Sequence, residues 1–383
     1  MPRILYLVTE DWFFLADSLP MARAARAAGF DIHIATHCEA HRAALEQEGF
    51  TVHPMQPWRR SLSPIAALRT VLEIQRIVER VEPAVIHQLA VMPVMLGSVA
   101  ALGGAAVHRI NHLTGLGYLF VSEKVLPRLI RPGIRLAFRY LLNRPHNVTV
   151  FQNDDDRREL IASGLVDSAN TFLIRGSGVD IAHFGELPDP PNPPFTIAYV
   201  GRMLADKGVP TLVEAMRRLR GNDPPVRLIL AGMPDEKNPS CLRLADLREW
   251  AREPDIEWWG HIDDVRTVWT EAHVAVLPSR REGLPKCLME AASCGRALLA
   301  SDVPGCREVV KHGVNGLLVP PDDPAAIAAA VRTLATDRPR RLDMAARSRS
   351  VVEGELCAHT VTARIGELYR SCIGTGGGAA HAA

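Results

Sequence analysis

Val274-Ala-Val-Leu-Pro-Ser-Arg-Arg-Glu-Gly-Leu-Pro-Lys-Cys-Leu-Met-Glu290 holds a strand, a turn and the start of a helix in one short stretch. Val274 to Leu277 is an apolar run of the length of a buried strand, and Pro278 stops it. A polar turn carries Glu282 and Gly283, and Pro285 then opens a helix, because its missing N–H is one that a helix start leaves unpaired anyway. The amides that follow point outward at the positive end of the helix dipole, where an anion is favoured. Glu282 and Glu290, eight residues apart, flank that helix start. A carboxylate can accept hydrogen bonds from ligand hydroxyls while the amides take negative groups, which is the chemistry a nucleotide sugar asks for. The plainer alternative is a capped helix with two surface glutamates, and the rest of the chain has to decide between them.

Working outward, the same strand-to-helix alternation recurs through the second half. Thr196–Val200, Arg227–Ala231, Ile256–Trp259, Ala297–Ala300 and Leu317–Val319 read as strands with helices between them. The first half repeats the pattern with strands at Ile4–Val8, Asp31–Ala35, Thr51–Pro54 and Ala84–His87, and helices at Leu19–Ala28 and Ser63–Glu82. Near-continuous apolar strands alternating with helices indicate parallel sheets covered on both faces, so the expected fold is α/β with two Rossmann-like doubly wound domains facing a cleft. Ligands of such sheets sit beyond the carboxyl ends of the strands. Pro188-Asp-Pro-Pro-Asn-Pro-Pro194 is too rich in proline to pair or coil and reads as a stiff spacer. The expected division is therefore a first domain over 1–187, a linker over 188–194, a second domain over 195–355, a C-terminal helix over 356–373 that could pack back on the first domain, and a disordered tail over 374–383.

At 383 residues the chain exceeds one ordinary core, and 47% hydrophobic with 23% charged residues is a globular composition. A formal charge of +1 gives no pull toward nucleic acid. Seven cysteines without a Cys-x-x-Cys spacing argue for free thiols in a reducing compartment. The N-terminal run Arg3–Val8 reads as a short buried strand rather than a signal peptide, and the apolar stretch Leu89–Val107, broken by Pro93 and Gly97, as a buried helix rather than a span. A cytoplasmic location is expected on these grounds.

Charge is uneven along the chain. Lys124, Arg128, Arg131, Arg135, Arg139 and Arg144 lie in a segment without an acidic residue. Ile134, Phe138, Leu141 and Leu142 fall on one helical face there. Such a face fits either the protein core or an anionic membrane surface, and a lipid-linked substrate favours the inner membrane surface via 124–146.

Gly201-Arg-Met-Leu-Ala-Asp-Lys-Gly208 follows the first strand of the second half and precedes a helix. Arg202 and Lys207 place two cations beside that helix start, suited to a diphosphate whose charge grows as it leaves. A solvated basic loop is the alternative for that pair alone.

Together, Val200-Gly-Arg202 with Lys207-Gly208, Ala231-Gly232, Gly260-His261, Glu282-Gly-Leu-Pro with Glu290-Ala-x-x-Cys-Gly295, and Gly313-Val-Asn-Gly316 resemble the donor-binding domain of retaining family 4 glycosyltransferases of the GT-B type. The likeness runs over about 195–355. Leu113-Thr-Gly-Leu-Gly117, Phe151-Gln-Asn153 with Asp156, and Arg175-Gly-Ser-Gly-Val-Asp180 also resemble the subgroup acting on lipid-linked saccharides in bacterial surface polysaccharide assembly. This resemblance implies a hexosyltransferase that moves a sugar from a nucleotide-sugar donor, with UDP first in line, to a polyprenyl-linked saccharide acceptor, without a metal or other cofactor. It implies that Arg202 and Lys207, after Gly201, hold the donor diphosphate. Glu290 takes the ribose hydroxyls, Glu282 the donor sugar, and the amides around Gly283 and Leu284 the sugar and phosphate. Gly232 is among the donor-binding residues, and the segment Gly260-His261-Ile262 lies near the nucleobase. His112 is the candidate that reaches the reacting sugar, against a loop histidine shaping its turn, and Thr114, Gly115 and Asp17 mark the acceptor side. Members of the subgroup often carry Ser-His-Arg where this chain has Ala16-Asp17-Ser18, so the acceptor contacts differ from the common pattern.

Other motifs fit less well. Gly115-x-Gly117 and Gly176-x-Gly178 lack the last glycine of a dinucleotide fingerprint, having Phe120 and Ile181 at the sixth position. Asp154-Asp-Asp156 could hold a metal-bound diphosphate, but its place before a helix from about Arg157 suits an acidic N-terminal turn. A UDP-sugar epimerase or hydrolase of the same fold would consume the donor without an acceptor. A non-catalytic nucleotide-sugar binding protein should have lost one of Arg202, Lys207, Glu282 or Glu290, and all four are present.

Overall fold

The computed structural model describes residues 1–57, 63–102, 107–115, 125–221 and 223–374, with the backbone alone for 125–130. These residues form two compact units, Met1–Ser177 with Val361–Ala383, and Gly178–Thr360.

In the first unit β1 (Arg3–Glu10), β2 (Asp31–His37), β3 (Thr51–Pro54), β4 (Val85–Leu89), β5 (His108–Leu113), β6 (Asn147–Phe151) and β7 (Thr171–Leu173) form one parallel sheet in the order β3-β2-β1-β4-β5-β6-β7. The order turns outward from β1 in both directions, the doubly wound arrangement. Alternation along β1 divides its side chains between two cores. Ile4, Tyr6 and Val8 face one that includes Val361, Ile365, Leu368 and Tyr369 of the C-terminal helix. Leu5 and Leu7 face the other, with Ile74, Ile77 and Val81. The latter three belong to helix α1 (Pro64–Val81). Helix α2 (Val91–Ala100) covers the apolar stretch beginning at Leu89. Among the described residues no helix is long and apolar enough to cross a membrane.

The cationic segment is helical as α3 (Val125–Leu142). Phe138, Leu141 and Leu142 are buried, and Phe138 and Leu142 pack with Val91, Val94 and Phe151, Ile134 resting at the edge. The apolar face read from the sequence is therefore turned to the core. Helix α4 (Asp154–Ala162) starts three residues earlier than expected, capped by Asn153, whose side chain accepts from the Asp156 amide, so the three aspartates occupy the acidic first turn.

In the second unit β8 (Phe195–Val200), β9 (Val226–Ala231), β10 (Ile256–Gly260), β11 (Val274–Leu277), β12 (Ala297–Ser301) and β13 (Gly316–Val319) form a parallel sheet in the order β10-β9-β8-β11-β12-β13. All four residues of β11 and all five of β12 are buried, as strands covered on both faces require. Helix α5 (Val209–Leu219) follows the β8 loop and α6 (Lys286–Ser293) follows the β11 loop.

The proline run Pro188–Pro194 lies inside this second unit, ten residues past the division at Ser177. Its polar groups are used: Arg296 Nη2 donates to the Pro188 carbonyl at 2.8 Å, and Arg341 Nη2 donates to the Asp189 carboxylate at 3.0 Å. Thr196 N donates to His273 Nδ1, which leaves His273 Nε2 to donate to the Pro190 oxygen at 3.2 Å. The last helix, α7 (Ala358–Gly374), presents Val361, Ile365, Leu368, Tyr369 and Cys372 as one apolar stripe to the first unit's core. The expected tail, 374–383, lies outside the described residues except for Gly374 at the helix end.

Candidate active site

The second unit brings the predicted donor residues to the carboxyl ends of β8, β9, β10 and β11. Gly201 N donates to the Ala231 oxygen and Gly232 N to the Gly260 oxygen, at 2.9 and 2.7 Å, so three strand ends are tied in series. Gly232, at φ +137, has no room for a side chain: a Cβ would stand 1.9 Å from the Gly201 oxygen. Trp258 Nε1 donates to the Gly232 oxygen at 2.9 Å, which fixes the same corner from β10. His261 is exposed and pairs with Asp263 at 3.2 Å, while Ile262 packs against the core.

Lys207 reaches the β11 loop by a second close approach. Gly208, at φ +75, lies so near Pro278 that a Cβ would meet the Pro278 oxygen at 2.0 Å. Arg280 N also donates to the Asp206 oxygen at 3.0 Å. Two loops separated by over seventy residues are thereby joined, and Lys207 Nζ donates to both Glu282 oxygens at 2.6 and 2.7 Å. Ser279 Oγ donates to the same Oε1 at 2.6 Å, holding the carboxylate in place. Arg202 points elsewhere: its Nη1 donates to Asp235 Oδ2 at 2.7 Å, and Tyr199 OH donates to the Arg202 carbonyl at 2.7 Å. Ser279 and Asp235 were absent from the sequence reading. The Ser-x-x-Glu spacing beside Glu282 was visible; nothing in the chain marked Asp235, which depends on the β9 loop turning back over Arg202.

Glu290 lies within α6 and is buried. Burial pushes its carboxyl pKa upward, opposed by Lys286, whose Nζ stands 4.0 Å away. A buried carboxylate with so distant a cation has acceptor capacity to offer to ligand hydroxyls. Gly283 and Leu284 lie between the two glutamates, partly exposed. The arrangement can present two cations and two carboxylates to a polar, anionic ligand.

The remaining predicted residues belong to the first unit. His112 is on β5 and fully buried, so it is a strand residue rather than part of a turn. Burial lowers its pKa to about 4, which keeps the ring neutral at ordinary pH. Thr114 and Gly115 follow directly, at half-buried positions. Asp17 sits in a π-helical turn over Phe14–Ser18, with Ser177 Oγ 3.5 Å from its Oδ1. Of the Leu113–Gly117 motif, Leu116 and Gly117 lie outside the described residues. Glu10, His37 and Glu39 gather three potential metal-ligand atoms within 4.8 Å of one another at the ends of β1 and β2, a grouping the sequence reading did not anticipate.

This architecture and its comparisons define a glycosyltransferase of the GT-B fold. Residues 3–163 match the family model described as "Glycosyl transferase 4-like", and residues 194–337 the one described as "Glycosyl transferases group 1". The chain belongs to the glycosyltransferase family that these two models describe. It is 22% identical over 341 residues to the N,N'-diacetylbacillosaminyl-diphospho-undecaprenol alpha-1,3-N-acetylgalactosaminyltransferase of Campylobacter jejuni, covering 85% of this chain and 88% of that one. It is 22% identical over 393 aligned positions to the capsular polysaccharide biosynthesis glycosyltransferase CapM of Staphylococcus aureus, covering 97% of each. In fold it is similar to Anabaena HepE crystallised with UDP, with a TM-score of 0.75 at 18% identity over 97% of this chain and 100% of that one.

Proposed function

We propose that this glycosyltransferase moves a sugar from a UDP-linked donor to a polyprenyl-diphosphate-linked saccharide, with retention of anomeric configuration, in the assembly of a bacterial surface polysaccharide. The Lys207–Glu282 pair carries this reading, because it sets the cation for a departing diphosphate directly on the carboxylate that would orient the sugar. A relative named for a diphospho-undecaprenol-linked saccharide and one named for capsular polysaccharide biosynthesis support the acceptor class, and a structure of similar fold crystallised with UDP supports the nucleotide.

In this reading Arg202 leaves Asp235 for the diphosphate, and Lys207 turns from Glu282 toward the same charge. Developing negative charge on the leaving group is met by both cations and by the amides at Gly283 and Leu284, the largest catalytic effect available to such a site. Glu290 accepts from the ribose hydroxyls, and His261 with Ile262 borders the base. Glu282, freed from Lys207, binds the donor sugar. His112 accepts a hydrogen bond from the substrate, and Thr114, Gly115 and Asp17 border the acceptor. The acceptor hydroxyl attacks on the face the diphosphate vacates, and a departing phosphate oxygen takes its proton. No step is assigned to a metal ion.

Membrane association is proposed for the solvent face of α3. Leu136 and Tyr140, one turn apart, are 69% and 59% exposed, and Arg135 and Arg139 are exposed beside them. Two apolar groups among cations suit an anionic headgroup layer.

A thermal-shift panel of nucleotides tests the donor assignment. UDP should raise Tm and other nucleoside diphosphates should raise it less; a response to GDP or ADP alone would refute UDP. Proton NMR of the product from an α-linked donor should show an α-linkage, and a β-linkage would refute retention.

A further inference from the structure

Four side chains of the first unit form a continuous hydrogen-bonded line beneath His112. Tyr6 OH donates to the Met21 carbonyl at 3.3 Å and lies 2.8 Å from Tyr369 OH. Tyr369 OH is in turn 2.8 Å from His87 Nδ1, and His87 Nε2 is 3.3 Å from His112 Nδ1. The two imidazoles are nearly parallel, at 9°. All four residues are 0% exposed. They come from three neighbouring strands, β1, β4 and β5, and from α7, so the C-terminal helix supplies a link that the sheet lacks. His112 Nε2, at the end of the line, is buried and has no hydrogen-bond partner among the described residues.

The polarity of the line follows from its ends. A carbonyl only accepts, so Tyr6 spends its proton on Met21 and its oxygen is left to accept from Tyr369. Tyr369 has then spent its own proton, and its oxygen accepts from His87 Nδ1–H. A neutral His87 carries no second proton, so its Nε2 accepts from His112 Nδ1–H. Burial lowers the pKa of both rings, His87 well below the ordinary range, which keeps each with a single proton. The far end agrees. With the opposite polarity His112 Nε2 would bear a buried N–H without an acceptor, a costlier orphan than a lone pair.

We propose that Tyr369, with Tyr6 and His87, is a positioning residue that holds His112 in its Nδ1–H tautomer, so that the Nε2 lone pair is presented to a substrate hydroxyl as an obligate acceptor. The tautomer of a histidine is set by the bond its other nitrogen makes, and here that bond is relayed from the C-terminal helix. The consequence is selectivity: a sugar hydroxyl that donates to Nε2 is accepted, whereas a group that can only accept there leaves two lone pairs facing each other. This proposal rests on the reading that His112 meets the substrate, whose hydroxyl must reach an Nε2 that is buried in this structure.

The test is long-range proton–nitrogen NMR on histidine-labelled full-length protein, with His112 assigned by comparison with His112→Gln. Wild type should show the Nδ1–H form at His112. Tyr6→Phe should drive the line toward Nε2–H, since Tyr369 then gives its proton to His87, and Tyr369→Phe should leave a mixture. Turnover, read as UDP release from a UDP-sugar that supports transfer, should fall about tenfold in Tyr6→Phe and by less in Tyr369→Phe, where part of the population keeps the Nδ1–H form, with donor KM nearly unchanged. Nε2–H at His112 in wild type, or one unchanged tautomer in both folded variants, would overturn the proposal while leaving the site reading intact. Full turnover by His112→Ala would remove the site reading, and the proposal with it.

Discussion

Lys207 Nζ and the Glu282 carboxylate are 75 residues apart in sequence and 2.6 Å apart in space. Arg202 is likewise held by Asp235 at 2.7 Å. Both cations proposed for the donor diphosphate thus rest on carboxylates. In the proposed reading, donor binding exchanges one anion for another at each cation.

Asp235 is the competitor whose removal tests this exchange. Asp235→Asn should tighten UDP binding by a few fold, because a half-exposed pair of this kind contributes up to about 1 kcal/mol that the diphosphate no longer has to displace. Titration calorimetry with UDP measures it. Weaker binding would mean that Asp235 helps to hold the nucleotide instead.

Much of this was legible beforehand because it is local. Every strand read in the second half recurs within a residue or so of its observed bounds, since parallel strands are buried on both faces and read as plain apolar runs. The four charged donor candidates stood out because glycines and prolines marked their loops. What escaped depends on partners distant in the chain. Asp235 became relevant only when the β9 loop folded over Arg202, and the Tyr369 line required α7 to return to the first unit. The face of α3 was misread because Phe138 and Leu142 satisfy the core and the membrane patterns equally well. Only their neighbours Val91 and Phe151 separate the two.

Glu290 should show opposing effects on binding and stability. Its folded pKa is raised, so the charged form is penalised on folding; the penalty is absent below the ordinary carboxylate range and present once the pH exceeds the raised value. Glu290→Gln should therefore raise Tm at pH 7 and lose that advantage near pH 4. UDP affinity should fall roughly tenfold, as two charge-assisted hydrogen bonds become neutral ones. Unchanged UDP affinity, by calorimetry, would separate Glu290 from the ribose.

His112 titrates with the opposite sign. Its pKa is depressed to about 4, so the stability it brings is complete above the unfolded value near 6.5 and is lost as the pH falls from there toward 4. On the order of 3 kcal/mol is at stake over that interval. The Tm difference between wild type and His112→Gln should shrink steadily between pH 7 and 4. A constant difference in differential scanning fluorimetry would contradict a neutral, buried His112.

The solvent face of α3 makes a separable prediction. Replacing Arg135 and Arg139 with Glu should reduce binding to phosphatidylglycerol vesicles by more than tenfold, at roughly 1 kcal/mol for each basic group near the surface. UDP binding should not change. Co-sedimentation equal to wild type would assign this face to solvent.

The most direct measurement is mass spectrometry of an undecaprenyl-diphosphate-linked saccharide after incubation with a UDP-sugar, comparing wild type with Lys207→Ala. The acceptor should gain one sugar residue with wild type, and turnover should fall at least a hundredfold in the variant, as expected when a donor to developing charge is lost, a far larger effect than on folding. Consumption of the UDP-sugar with no mass gained by any acceptor, or near-full transfer by Lys207→Ala, would contradict a transferase built around this lysine.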